Sequence, residues 1–295
     1  MIYIFLSICC SVIVSILLKL ARRYQIDVFQ AITWNYSTAI LLTWIIFKPT
    51  LSHLHDLPIV NYSLLGILLP LLFVIIALSV RYAGIVRTEV AQRLSLFIPV
   101  IAAFLVFGES INVIKIIGIV LGFVAIICSI QWGRGRTNGR KSVSGWLYLL
   151  IVFTGMGVID VLFKQVAAFK SVPYTTSLFI IFSLAFILSL IRLIYMLVRK
   201  KLKFSWPHIF FGWILGIANF GNILFYIKAH QAISGNPSIV FSAMNIGVIV
   251  LGALVGLFIF KEKLSSLNKA GIGIAIIAIV IISFPEFFQK IFHLG

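Results

Sequence analysis

A chain of 295 residues that is 62% hydrophobic and 11% charged has too little polar surface to cover a core in water, which excludes a soluble globular domain. Its 24 Lys and Arg against 7 Asp and Glu give a net charge of +17. The basic residues lie in short loops rather than on one amphipathic surface with interleaved aromatics, so nucleic acid is not an expected partner.

Apolar stretches follow one another at 2–20, 28–47, 61–80, 88–107, 111–130, 146–167, 174–197, 208–227, 237–259 and 268–285. Each is about the roughly 20 residues that cross a hydrocarbon core as a helix. Runs such as Gly271 to Ile282 lack the alternation of barrel strands, so helices are expected. The first stretch has no basic leader and runs into Lys19-Leu20-Ala21-Arg22-Arg23 rather than a small-residue cleavage site; it is expected to remain in the mature chain. Cys9, Cys10 and Cys128 fall inside apolar stretches and offer no framework for disulfides or metal.

Along the chain, polar residues interrupt these stretches at a few places. The second holds Trp34-Asn35. His53-x-His55-Asp56 lies in the next loop without a fourth ligand and reads as a solvated loop. In the fourth stretch Glu89 and Arg93 are four apart, with Phe97 and Val100 continuing the stripe and Gln92 and Ser95 flanking it. Charges this deep are costly against lipid, so they mark a cavity or a pair: either Arg93 presents a cation to an anionic substrate group while Glu89 positions it or couples protons, or the two form an internal ion pair near the helix end. Asp160 and Lys164, again at i and i+4 in the sixth stretch, read as an ion pair, structural or gating and coupling. Asn219, Asn222 and Tyr226 in the eighth stretch and Asn245 in the ninth either hydrogen-bond across helices or face a cavity. Gly118-x3-Gly122, Gly212-x3-Gly216 and Gly252-x3-Gly256 are read as close helix approaches.

Assigned to the nearest connection, 18 of the 24 basic residues fall in the loops after the odd-numbered stretches, among them Arg199, Lys200, Lys201 and Lys203. The positive-inside rule makes these loops cytoplasmic and both termini extracytoplasmic. Residues 1–131 and 145–295 also repeat each other. Gly108-Glu109 with Ile117-Gly118-Ile119 matches Lys261-Glu262 with Ala270-Gly271-Ile272 at an offset of 153, and Gly66 falls on Gly212 at 146. A basic, glycine-rich linker, 132–144, joins the halves. A duplicated unit with an odd number of spans must be inserted upside down. The expected fold is therefore an all-α integral membrane protein of ten transmembrane helices in two inverted five-helix repeats, an organisation that supplies two packings opening to opposite sides.

The residues Ser95-Leu96-Phe97-Ile98-Pro99-Val100-Ile101, then Phe107-Gly108-Glu109 and Ile117-Gly118-Ile119, are similar to the EamA-type pattern of the drug/metabolite transporter superfamily. Asn236-Pro237-Ser238-Ile239-Val240, Phe260-Lys261-Glu262-Lys263-Leu264 and Gly271-Ile272 give its second copy. The resemblance implies a ten-helix secondary carrier with a central cavity that moves small metabolites such as amino acids, nucleosides, sugars or drugs. The substrate expected here, from the charged and amide side chains inside the stretches, is a small polar metabolite such as an amino acid or related carboxylate. The resemblance also implies a structural or gating role for Glu109 and Glu262. The family is usually drawn with cytoplasmic termini; the charge count here favours the opposite.

On this reading the substrate would meet Arg93, Glu89, Gln92, Phe97, Trp34, Asn35, Asn219, Asn222, Tyr226 and Asn245, with Asp160 and Lys164 in coupling or gating. No nucleotide-binding motif is present, so uphill movement would draw on an ion gradient or exchange. The expected partners are a small-molecule substrate, coupling protons in a gradient-driven cycle and membrane lipids, in a monomer or homodimer of the bacterial inner membrane. No cofactor or metal is expected. Two other classes are a lipid-modifying membrane enzyme, for which no histidine has a persuasive carboxylate set, and a structural subunit, which would move no solute.

Overall fold

The computed structural model describes residues 1–49, 58–83, 85–110, 112–129, 143–169, 171–259, 266–285 and 287–288. Most of the linker 132–144, the His53-x-His55-Asp56 loop and Glu262 lie outside this set. Eleven helices are described: α1 (Ile2–Arg23), α2 (Val28–Phe47), α3 (Ile59–Tyr82), α4 (Ile85–Leu94), α5 (Phe97–Leu105), α6 (Val113–Ser129), α7 (Val143–Ala168), α8 (Tyr174–Val198), α9 (Trp206–Ala232), α10 (Pro237–Phe258) and α11 (Ser266–Ser283). No strand occurs among the described residues. Five of the helices, in α3, α7, α8, α9 and α10, are long and apolar enough to cross a membrane by length and composition.

The apolar stretches coincide with these helices, with one difference. The stretch at 88–107 is two helices, α4 and α5, parted at Ser95-Leu96. Pro99 explains the break. It has no N–H to offer the Ser95 carbonyl four residues back, and its ring crowds that oxygen. The Ile98 N–H donates to the Ser95 carbonyl instead, at 3.0 Å, and the Leu96 N–H to Arg93 O at 3.3 Å. Both are the tighter i to i+3 pattern. The Ser95 hydroxyl folds back onto the Gln92 carbonyl at 2.6 Å. The stripe expected from Arg93 on to Phe97 therefore crosses a break.

In the packing, α2 lies along α8 and α9, α3 along α7 and α8, α1 along α9 and α10, and α6 along α11, while α7 touches α4, α5 and α9. Small residues make the close approaches. A Cβ on Gly212 would stand 2.6 Å from the Ala31 carbonyl and one on Gly216 2.6 Å from the Asn35 carbonyl. Gly118 meets Ile282 and Gly122 meets Ile246 in the same way, whereas Gly252 faces open space. Two of the three Gly-x3-Gly motifs thus serve packing within the chain.

Candidate functional site

Helix α9 carries polar side chains at Asn222, Tyr226 and His230, and the chain continues to Ser234 just past its end. A four-residue step keeps one face, and twelve residues rise about 18 Å. This face is where α1 and α7 converge. From α1, the Ser7 hydroxyl lies 2.9 Å from both the backbone and the side-chain oxygen of Asn222. From α7, Asp160 accepts a hydrogen bond from the Tyr226 hydroxyl at 3.1 Å, and the Lys164 ammonium donates to the Ser234 carbonyl at 3.1 Å.

These contacts correct the expectation that Asp160 and Lys164 bind each other. No ion pair joins them; each is satisfied by α9 or the turn that follows it. Position i and i+4 on α7 places both on one face, but α9 offers them two different groups along that face. Lys164 also sits 5.8 Å from the centre of the Phe107 ring.

Sequence reasoning passed over His230, for want of neighbouring carboxylates. The structure places it fully buried, its ring centre 4.7 Å from those of both Tyr226 and Phe241. Neither imidazole nitrogen has a hydrogen-bond partner among the described residues. Buried polar groups are ordinarily paired, so this ring has hydrogen-bonding capacity left for another species. Its i+4 spacing from Tyr226 was the available clue.

At the His230 end the stripe meets a buried ion pair. Gly108, at φ +64°, turns the chain after α5, and the Glu109 N–H reaches back to Ala103 O at 3.0 Å, a helix-ending geometry that favours glycine. The turn delivers Glu109 into the protein, where its carboxylate accepts from Lys115 at 2.8 Å and from the Ser238 N–H at 2.8 Å. The Ser238 hydroxyl donates to the same carboxylate, and Lys115 also bonds the Asn236 side chain. Ser238 is in the first turn of α10, where a negative charge is favoured by the exposed N–H groups and the helix dipole. Glu109 thus clamps the end of the broken stretch to the start of α10.

The remaining expected residues fall into other groups. Trp34 and Asn35 belong to the α2–α9 contact: Asn35 is buried, and neither its amide nor the Trp34 indole N–H has a partner among the described residues; Asn219 is buried on α9 one turn beyond Gly216. Asn245 donates to Phe241 O in its own helix at 3.1 Å. Phe97 stacks on Phe123, ring centres 3.7 Å apart. Gln92 and Arg93 are half-buried in the last turn of α4; the side chain of Glu89 lies outside the described residues. The α4–α5 break is nevertheless close to the stripe. A Cβ on Gly157 would stand 2.9 Å from the Ser95 carbonyl, and Gly157 is three residues, about one turn, before Asp160.

The described molecule is all-helical, with several apolar helices of membrane-spanning length and buried ionisable groups on α7 and α9, the make-up of a multi-pass membrane protein. No protein-family model matches the chain. An uncharacterized protein of Haemophilus influenzae is 44% identical over 282 residues, covering 92% of this chain and 94% of that protein; the chain belongs to the same family. A solved crystal structure shares the fold with a TM-score of 0.72 at 13% identity, covering 95% of this chain and 98% of the other.

Proposed function

We propose that the protein is a ten-span secondary carrier, built of two inverted five-helix repeats, that moves a small polar metabolite across the membrane by alternating access. The observation that carries this reading is the polar face of α9. Its hydroxyl, imidazole and amide groups run along the interior of an apolar helix and meet a carboxylate and an ammonium from α7. Ionisable groups in such helices are expensive and mark substrate or ion pathways. Asp160 and Lys164 are the coupling or gating pair of positions, acting through α9.

The repeat is supported by the helix neighbours. Exchanging α1 with α7, α2 with α8, α3 with α9, α4 and α5 with α10, and α6 with α11 turns one set of contacts into another: α1–α9 becomes α7–α3, α2–α9 becomes α8–α3, and α1–α10 becomes α7 with α4 and α5. The α2–α8, α6–α11 and α5–α10 contacts map onto themselves. Together with the glutamate and glycine motifs this favours an EamA-type member of the drug/metabolite transporter superfamily.

The test is purified protein in liposomes, challenged with amino acids, related carboxylates and other small metabolites by thermal shift and then by counterflow. A carrier accumulates labelled solute against unlabelled solute inside. Folded protein that moves no member of a broad library would overturn the proposal in favour of a structural subunit.

A further inference from the structure

A cavity of about 210 Å³ lies between α2, α3 and α8, and none of its lining residues belongs to the α9 stripe. Its walls are apolar apart from Thr33, Ser189 and Arg192. Both hydroxyls are already engaged, Thr33 donating to Phe29 O at 3.1 Å and Ser189 to Ala185 O at 2.6 Å. Arg192 differs. It is half-buried, its guanidinium carbon stands 4.6 Å from the centre of the Phe29 ring, and it has no hydrogen-bond acceptor or carboxylate among the described residues. A ring face answers part of its charge, but a guanidinium carries five N–H donors in a planar fork that suits an oxyanion.

The surroundings say what kind of anion fits. Ile67, Leu71 and Leu188 line the cavity and are each 40–49% exposed, so its rim is apolar and open at the outer surface of the bundle. A basic loop lies beside it. Arg199, Lys200, Lys201 and Lys203 are exposed, and the loop is pinned to α2, with Gln30 donating to Lys203 O at 2.8 Å and the Ser205 N–H donating to Gln30 at 3.4 Å. Gln30 is the neighbour of Phe29, and Arg192 is seven residues, about 10 Å along α8, from Arg199. An apolar groove with a cation at one end and a basic loop beside it is complementary to a molecule with an anionic head and an apolar tail.

We infer that this groove binds one anionic phospholipid, its phosphodiester on Arg192 beside the basic loop and an acyl chain along α3 and α8. The site depends on the membrane setting of the chain and not on transport. Free phosphate finds one guanidinium and otherwise apolar walls, whereas the lipid fills both parts of the groove.

Native mass spectrometry of the purified protein with phosphatidylglycerol and phosphatidylcholine tests this. The wild type should retain one phosphatidylglycerol in preference to phosphatidylcholine, and Arg192→Gln should weaken that retention about tenfold or more, the worth of a charge-assisted contact. A Lys200→Gln, Lys201→Gln double variant controls for unspecific attraction and should have a smaller effect. On the wild type alone, phosphatidylglycerol with a photoreactive acyl chain should label α2, α3 or α8, and glycerol phosphate should not displace it. Equal retention of the two lipids, unchanged retention in Arg192→Gln, displacement by glycerol phosphate or labelling only outside these helices would each overturn the site. Should Arg192→Gln not fold, the lipid preference and the labelling decide.

Discussion

The Tyr226 hydroxyl donates to Asp160 at 3.1 Å, across 66 residues of sequence and from α9 to α7. No other hydrogen bond to the Asp160 carboxylate is described among these residues. Removing the donor leaves a polar group in a helix interior without its partner, which costs about 1–3 kcal/mol. Tyr226→Phe should therefore lower thermal stability in detergent and slow counterflow, and Asp160→Asn, which keeps an acceptor for the phenol, should perturb stability less. Equal melting of Tyr226→Phe and wild type would show that the contact contributes nothing.

The Glu109–Lys115 pair is the second relationship that measurement can weigh. Breaking a buried ion pair from one side costs about 3–5 kcal/mol, while replacing both partners by neutral groups is often far milder. Glu109→Gln and Lys115→Met should each be destabilising, and the double variant should lose less stability than the sum of the two. A double-mutant cycle on thermal or denaturant unfolding reads the coupling. Glu109 also holds the first turn of α10 through Ser238, so Glu109→Gln should be the harsher of the two single changes; strict additivity would dissolve the clamp.

Much of the helical layout was legible, because about 20 apolar residues in a row leave the backbone few other ways to satisfy itself. The α4–α5 break was missed: hydropathy runs straight through 88–107, and the signal that marks it is Pro99, which cannot donate to the Ser95 carbonyl four residues back. The Asp160–Lys164 pairing went wrong for a different reason. Spacing along one helix reports which side chains share a face, and it is silent about what the facing helix offers. Tyr226 and Ser234 lie 66 and 70 residues away, and nothing in local sequence ranks them above the neighbour at i+4. His230 escaped for the same reason: its environment is made by Tyr226 and Phe241 after folding.

Gly157 and Gly252 should respond in opposite ways to alanine. A Cβ on Gly157 would lie 2.6 Å from Ile98 Cβ and 2.9 Å from the Ser95 carbonyl, a backbone atom at the α4–α5 break. Overpacking of this kind costs about 1–3 kcal/mol. A Cβ on Gly252 would meet no neighbouring group of the described residues within 4 Å, and alanine is preferred to glycine in a helix by up to about 1 kcal/mol. Thermal unfolding should show Gly157→Ala destabilised and Gly252→Ala unchanged or more stable. The reverse order would mean that α7 does not rest on the break.

Both termini are expected outside the cytoplasm, since 18 of the 24 basic residues, each assigned to its nearest connection, belong to the opposite side. Fusions of a phosphatase and of a fluorescent protein that matures only in the cytoplasm report this directly at either end. Phosphatase activity at the C-terminus fits the charge distribution. Fluorescence there would invert the assignment, restore the orientation usually drawn for EamA-type carriers and move the basic loop after α8 to the other leaflet.

Arg93 is the remaining cation of the substrate hypothesis. It lies in the last turn of α4, two residues before the carbonyl that touches Gly157, and so at the hinge of the broken stretch rather than in a continuous helix. For a ligand with a carboxylate, a guanidinium at such a position offers two parallel donors, which an ammonium does not. Arg93→Lys should therefore weaken counterflow of an anionic or zwitterionic substrate while leaving expression and membrane insertion intact, and Arg93→Gln should weaken it further. A rise in KM at constant kcat would place Arg93 in uniform substrate binding, and a fall in both kcat and kcat/KM would place it in the conformational step at the α4–α5 break. If both variants move every identified substrate as the wild type does, Arg93 is a scaffold residue and recognition lies along the α9 face at Asn222, Tyr226 and His230.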